Sequence, residues 1–79
     1  MKLLVLSKHN CSGCGFVKGL LDGQEIQYDS VNIQENVDVA IQYEIMSVPV
    51  TILLDENEKE VSRVAGFNPP ELEKLIAQL

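Results

Sequence analysis

Two uninterrupted apolar runs constrain the fold of this 79-residue chain more than any other feature. The first is Leu3–Leu6, bounded by polar residues, and the second follows Pro49 and extends to Leu54, counting the β-branched Thr51 with its apolar neighbours. A strand that is apolar at every position is buried on both faces. Because proline cannot donate a hydrogen bond within a sheet, the second strand is expected to begin at or just after Pro49. We therefore expect a sheet covered by helices on both sides.

Three other stretches have apolar residues at helical spacing. The first is expected to end at Gly23, which would act as its C-terminal cap, and the second runs from Gln34 to Tyr43. The third is expected to begin at Asn68, which is followed by two prolines and by Glu71 in the pattern of a capping box. The apolar positions of the three helices are Phe16, Val17, Leu20 and Leu21; Val37, Ala40 and Ile41; and Leu72, Leu75, Ile76 and Leu79.

Alternating apolar and polar residues predict two further strands. Residues 26–33 form a half-exposed strand, and residues 59–65 form a hairpin with the run that ends at Leu54. The predicted order is strand, helix, strand, helix, strand, strand, helix, with the first two strands parallel and the last two antiparallel. This is an α/β fold with a four-stranded mixed sheet flanked by three helices. We expect residues 1–79 to form a single domain, because so short a chain cannot build two hydrophobic cores.

Charge and hydropathy narrow the function classes. Twelve acidic and six basic side chains give a formal charge of −6, which disfavours nucleic acid or an anionic membrane as a partner. No apolar segment approaches transmembrane length, and the short run after Met1 lacks the features of a signal peptide. We therefore expect a cytoplasmic protein that acts as a monomer.

The only cysteines, Cys11 and Cys14, are three residues apart. A disulfide between them closes a very small loop, so it would remove little entropy from the unfolded chain. In a reducing cytoplasm such a pair is typical of a catalytic or metal-binding site. A structural zinc site needs four ligands, whereas the chain offers two cysteines and His9, so we expect no bound metal. An iron–sulfur module and a non-catalytic adaptor are the alternatives from other classes.

With the cysteine pair between the first strand and the first helix, and Val48–Pro49 opening the third strand, the whole chain resembles the thioredoxin superfamily. The segment Ser7–Cys14 is similar to the glutaredoxin branch, in which a lysine stands three residues before the first cysteine. The segment Ala65–Pro69 is similar to the glycine-phenylalanine-arginine-proline segment of NrdH-type redoxins, with Asn68 in place of the arginine. The consecutive glycines that help glutaredoxins hold glutathione are absent.

The resemblance implies a redox-active Cys11–Cys14 disulfide and no bound cofactor. At a helix N-terminus, unpaired N–H groups and the helix dipole stabilise a thiolate, so Cys11 is expected to attack and Cys14 to resolve the mixed disulfide. The family also implies a cis peptide bond before Pro49, with the backbone of Val48 facing an extended substrate. Phe67 is expected near the substrate groove. Lys8 is a candidate for a second positive charge near Cys11 or for a contact with a carboxylate of a thiol substrate.

The expected activity is therefore protein-disulfide reduction by a small redoxin. The missing glycine pair favours thioredoxin reductase as the electron donor, and that reductase would consume the NADPH. The NrdH-like segment implies ribonucleotide reductase as a substrate. A glutathione-dependent glutaredoxin is the alternative, which Lys8 and Tyr28 keep open.

Overall fold

The seven elements follow one another in the order that the sequence predicts. A computed structural model describes all residues, 1–79. The elements are β1 (Lys2–Ser7), α1 (Ser12–Gly23), β2 (Asp29–Asn32), α2 (Val37–Gln42), β3 (Val50–Leu54), β4 (Glu60–Ala65) and α3 (Pro69–Ile76). No helix has the combined length and apolar character needed to cross a membrane.

The four strands form one mixed sheet in the order β2-β1-β3-β4. β1 and β2 are parallel, β1 pairs antiparallel with β3, and β3 and β4 form the antiparallel hairpin. Both predicted orientations are confirmed. The two uninterrupted apolar runs lie at the centre of the sheet, where every residue of β3 is buried. β3 begins at Val50, directly after Pro49, as expected.

Helices cover both faces of the sheet because alternate residues of the central strands point to opposite sides. One face packs against α1 and α3 through Leu3, Val5, Val17, Leu21, Leu53, Val64, Leu72 and Leu75. The other buries Leu4, Leu6, Val50, Ile52 and Leu54 under partly buried residues of α2 and its flanking loops. The predicted α/β architecture, a four-stranded sheet with three helices, is confirmed.

The helix ends agree with the sequence at α3 and differ from it at α1. Asn68 caps α3, since its Oδ1 accepts a hydrogen bond from the Glu71 N–H at 3.4 Å. Gly23 is the last residue of α1, as expected, but it is not the C-terminal cap, because the capping hydrogen bonds involve the residues that follow it. The N–H of Ile26 donates to the carbonyl of Leu21 at 2.9 Å, and the N–H of Glu25 donates to Asp22. This is a Schellman closure, and Glu25 takes its left-handed position with a φ of 58°.

The second strand and the second helix are shorter than predicted. Ile26 takes part in closing α1, so β2 begins only at Asp29. After β2, the Oδ1 of Asn32 accepts a hydrogen bond from the N–H of Gln34 at 2.8 Å, and the Asn32 carbonyl accepts one from Asn36. These bonds hold the following residues in a turn, so α2 begins at Val37.

The apolar stripe predicted for α3 ends earlier than expected. Leu72 and Leu75 are buried against the sheet, but Leu79 is 50% exposed. The helix ends at Ile76, so helical spacing no longer carries Leu79 onto the core face.

Candidate active site

The two cysteines lie where β1 passes into α1. Asn10 turns the chain with a φ of 56°, a left-handed conformation that asparagine tolerates better than most residues. Cys11 follows in an extended conformation as the N-cap of α1, and its Sγ accepts a hydrogen bond from the backbone N–H of Cys14 at 3.1 Å. The helix therefore directs an unpaired donor and the positive end of its dipole at this sulfur.

Cys11 and Cys14 are joined by a disulfide, with Cα atoms 5.3 Å apart. The two sulfurs differ in accessibility: Cys14 is only 4% exposed and faces the core with Val17 and Leu21, while Cys11 is partly exposed. A partner molecule can therefore approach Cys11 but not Cys14. This asymmetry is what an attacking and a resolving cysteine require.

Pro49 lies directly against the segment between the cysteines. A Cβ atom built on Gly13 would be 3.2 Å from the Cδ of Pro49, which is closer than an ordinary van der Waals contact. The peptide bond between Val48 and Pro49 is cis, as the resemblance implies. Pro49 is buried and Val48 is partly exposed.

Phe67 reaches the same end of the molecule. The N–H of Gly66 donates to the carbonyl of Pro49 at 2.8 Å, and this bond ties the segment before Phe67 to the proline loop. Phe67 is 44% exposed, and its ring centroid lies 5.5 Å from that of Phe16. Helical spacing placed Phe16 with the apolar residues of α1, yet it is 60% exposed. The buried residues of α1 are Cys14, Val17 and Leu21, and Phe16 points away from that face.

Sequence reasoning missed the aromatic pair. Phe16 and Phe67 are the only phenylalanines in the chain. Each directly follows a glycine, and their positions flank the cysteine and proline motifs. That proximity to the motifs was the available signal. The pair forms an exposed apolar surface beside Pro49.

Lys8 and His9 lie in the loop that leads to Cys11. Lys8 is exposed and forms no ion pair with a carboxylate of the chain. The backbone N–H of His9 donates to the Oε1 of Gln34 at 3.0 Å, and its ring nitrogen lies 3.6 Å from the carboxylate of Glu35. His9 therefore links the loop to the turn after β2. The structure contains no cluster of three or more potential metal-ligating side chains.

Comparisons with known proteins give the family. The sequence is 39% identical over 79 residues to the SPbeta prophage-derived thioredoxin-like protein YosR of Bacillus subtilis, across 100% of this chain and 99% of that one. It is 36% identical over 74 residues to the glutaredoxin-like protein NrdH of Lactococcus lactis, across 90% of this chain and 94% of the relative. No protein-family model matches the sequence.

Solved structures agree with these relatives. Thioredoxin 1 of Thermosipho africanus superposes with a TM-score of 0.77 at 25% sequence identity, over 99% of this chain and 92% of that protein. The chain belongs to the thioredoxin superfamily and is a thioredoxin-like thiol–disulfide oxidoreductase with a Cys11–Cys14 disulfide.

Proposed function

We propose that this protein is a cytoplasmic, monomeric redoxin that reduces protein disulfides through Cys11 and Cys14, with residues 1–79 working as one domain. The observation that carries the proposal is the asymmetry of the pair at the start of α1. Cys11 is accessible and accepts a hydrogen bond from the Cys14 N–H, and Cys14 is buried behind it.

The reaction begins from the dithiol form. The Cys11 thiolate attacks one sulfur of the substrate disulfide, a mixed disulfide forms, and the first substrate sulfur leaves as a thiolate that takes a proton from water. Cys14 then loses its proton and attacks the sulfur of Cys11. This step forms the Cys11–Cys14 disulfide and releases the second substrate thiol, so two electrons pass to the substrate.

The surroundings of Cys11 bind the substrate. Val48 presents its backbone to an extended segment, with Pro49 holding that backbone against Gly13. Phe67, together with Phe16, provides an apolar contact beside the proline. Lys8, free of internal ion pairs, is available to a carboxylate of the substrate.

Thioredoxin reductase is the proposed electron donor, with NADPH consumed by that enzyme, and ribonucleotide reductase is the proposed recipient. The relatives named thioredoxin-like protein and NrdH support this branch, as does the missing glycine pair. The second candidate is a glutathione-dependent glutaredoxin. The unpaired Lys8 favours it, since a free cation beside Cys11 suits a carboxylate of glutathione.

A coupled assay of NADPH consumption distinguishes the two donors. Insulin serves as the protein disulfide, with thioredoxin reductase in one arm and glutathione plus glutathione reductase in the other. We expect turnover in the first arm only and none with Cys11→Ser. Cys14→Ser should accumulate the mixed disulfide, which mass spectrometry detects. Turnover only with glutathione would reassign the donor, and turnover in neither arm would exclude both.

A further inference from the structure

α2 and the loop that follows it carry a group of apolar residues that are largely exposed. No residue of α2 is buried. Val37 is 59% exposed, Ile41 73% and Met46 96%. We call these three residues, with the partly exposed Ala40 and Ile45, the α2 patch. Single exposed apolar residues are normal on protein surfaces, whereas a contiguous group of them marks an interaction site.

The α2 patch forms a shallow, open depression. Ala40, Ile41, Glu44, Ile45 and Met46 line a cavity of about 510 Å³ that is open to solvent. The N–H of Ile45 donates to the carbonyl of Ala40 at 2.8 Å, and the N–H of Glu44 donates to Ile41 at 3.2 Å. These bonds close the end of the helix, with Glu44 in the left-handed position at a φ of 54°. Backbone hydrogen bonds therefore fix the course of the chain beneath the patch.

The patch continues into the candidate active site. Met46 precedes Pro49 by three residues, and three residues span at most about 11 Å. Pro49 in turn lies against Gly13, between the two cysteines. Met46 is therefore close enough to the candidate active site for one bound protein to contact both Cys11 and Met46.

Charge distinguishes between the possible occupants. Glu44 lines the cavity, and Asp38 lies on α2 one turn before Ile41; neither forms an ion pair within the chain. The guanidinium of Arg63 donates two hydrogen bonds to the carboxylate of Glu60, and it also lies near enough to Glu44 to attract that carboxylate more weakly. A second copy of this chain, with its charge of −6, would bring further negative charge to an acidic rim. A partner with a basic side chain is complementary to that rim.

We infer that the α2 patch docks the protein whose disulfide reacts with Cys11, by taking one large apolar side chain that has a lysine or arginine next to it in the partner. The inference rests on the proposed function, since the partner is bound while thiol–disulfide exchange takes place. In this arrangement Ile41 and Met46 contact the apolar side chain of the partner, and Glu44 selects for the lysine or arginine next to it.

Chromogenic peptides test this docking site. Each peptide has one cysteine in a mixed disulfide with thionitrobenzoate, and carries Leu-Arg, Leu-Glu, Ser-Arg or Ser-Glu three to five residues before or after it. The reduced protein releases the coloured thiolate, which stopped-flow absorbance records. We expect kcat/KM to be about tenfold higher for Leu-Arg than for Ser-Glu, equivalent to about 1.4 kcal/mol.

Variants assign the preference to the patch. Ile41→Ser should abolish the preference for leucine, and Glu44→Lys should reverse the preference between arginine and glutamate. The matched control is Val61→Ser, because Val61 is an exposed apolar residue of β4 outside the patch, at 45% exposure. This variant should keep both preferences.

Equal kcat/KM for the four peptides, or preferences that survive Ile41→Ser and Glu44→Lys, would overturn the inference. So would a dimer in sedimentation that Ile41→Ser dissociates, because a second copy would then occupy the patch. Hydroxyethyl disulfide separates the two proposals. If the protein reduces this small substrate but shows no preference among the peptides, the docking site alone is refuted. If it reduces neither this substrate nor the peptides, the proposed function is refuted as well.

Discussion

Replacing Gly19 by alanine should stabilise the helix that carries the cysteines. Four of the twelve residues of α1 are glycine, at positions 13, 15, 19 and 23. A glycine inside a helix destabilises it by about 0.5–1 kcal/mol relative to alanine, chiefly through backbone entropy. A Cβ on Gly19 would meet no atom within 4 Å, so the added methyl group causes no clash. We expect Gly19→Ala to raise the free energy of unfolding by about 0.5–1 kcal/mol.

Gly13 provides the matched comparison within the same helix. Alanine there gains a similar propensity, but its Cβ would lie 3.2 Å from the Cδ of Pro49, which is buried. Either the ring or the start of α1 has to move by a few tenths of an ångström. We therefore expect Gly13→Ala to be less stabilising than Gly19→Ala, and to slow insulin reduction, which Gly19→Ala should leave unchanged.

Urea denaturation of the oxidised proteins, followed by far-ultraviolet circular dichroism, measures both effects. For 79 residues, an unfolding entropy of about 2.1 cal/mol/K per residue converts 1 kcal/mol into a Tm shift of about 6 °C. Gly19→Ala should thus raise Tm by about 3–6 °C. Equal stabilisation by the two alanines, with equal rates of insulin reduction, would refute the argument that Gly13 is constrained by Pro49.

Three further predictions concern stability. Leu72→Ala should lower the free energy of unfolding by about 2–5 kcal/mol, because Leu72 is fully buried. Leu79 is half exposed, so Leu79→Ala should change it by less than about 0.5 kcal/mol in the same urea experiment. Asn68→Ala should lower it by about 1 kcal/mol through loss of the α3 cap, and Asn68→Asp should restore most of the loss; equal losses for both would contradict the capping role. The hydrogen bonds from Arg63 lower the pKa of Glu60 from its ordinary value of 4.5. They therefore contribute up to about 1 kcal/mol to the free energy of unfolding above pH 4.5, and this contribution is lost as the pH falls through the lowered pKa. The stability difference between wild type and Glu60→Gln should therefore shrink between pH 7 and acidic pH, and a difference independent of pH would contradict it.

The central strands and the third helix were predictable because their signals are local and strong. Leu3–Leu6 is apolar at every position and Val50–Leu54 at every position except the β-branched Thr51, and such short runs with polar flanks are typical of a strand that is covered on both faces. Asn68, followed by two prolines, signals a helix start through its own side chain. In each case the residue that carries the signal also makes the contact.

Other features depend on contacts between separate elements, which local patterns do not contain. Helical spacing shows that Phe16 belongs to α1 but not which side of α1 meets the sheet, and Cys14, Val17 and Leu21 decide that. α1 does end at Gly23, yet the bond from Ile26 to Leu21 places the left-handed capping residue at Glu25 instead of at the glycine. The contact of Gly13 with Pro49 was expected only through the family resemblance, because these residues are far apart in the sequence.

The site is assembled from three separate stretches of chain: the Cys11–Cys14 turn, the loop around Pro49, and the Gly66–Phe67 segment bonded to it. Bringing them together requires β3 to pair with β4 in the hairpin and β1 to pair with β3, and the second pairing joins residues that are distant along the chain. In an unfolded or nascent chain the two cysteines lack the helix N-terminus and the buried environment, so they behave as ordinary thiols. Reductase activity is therefore a property of the completed fold, and a destabilised variant should lose it in proportion to its unfolded fraction.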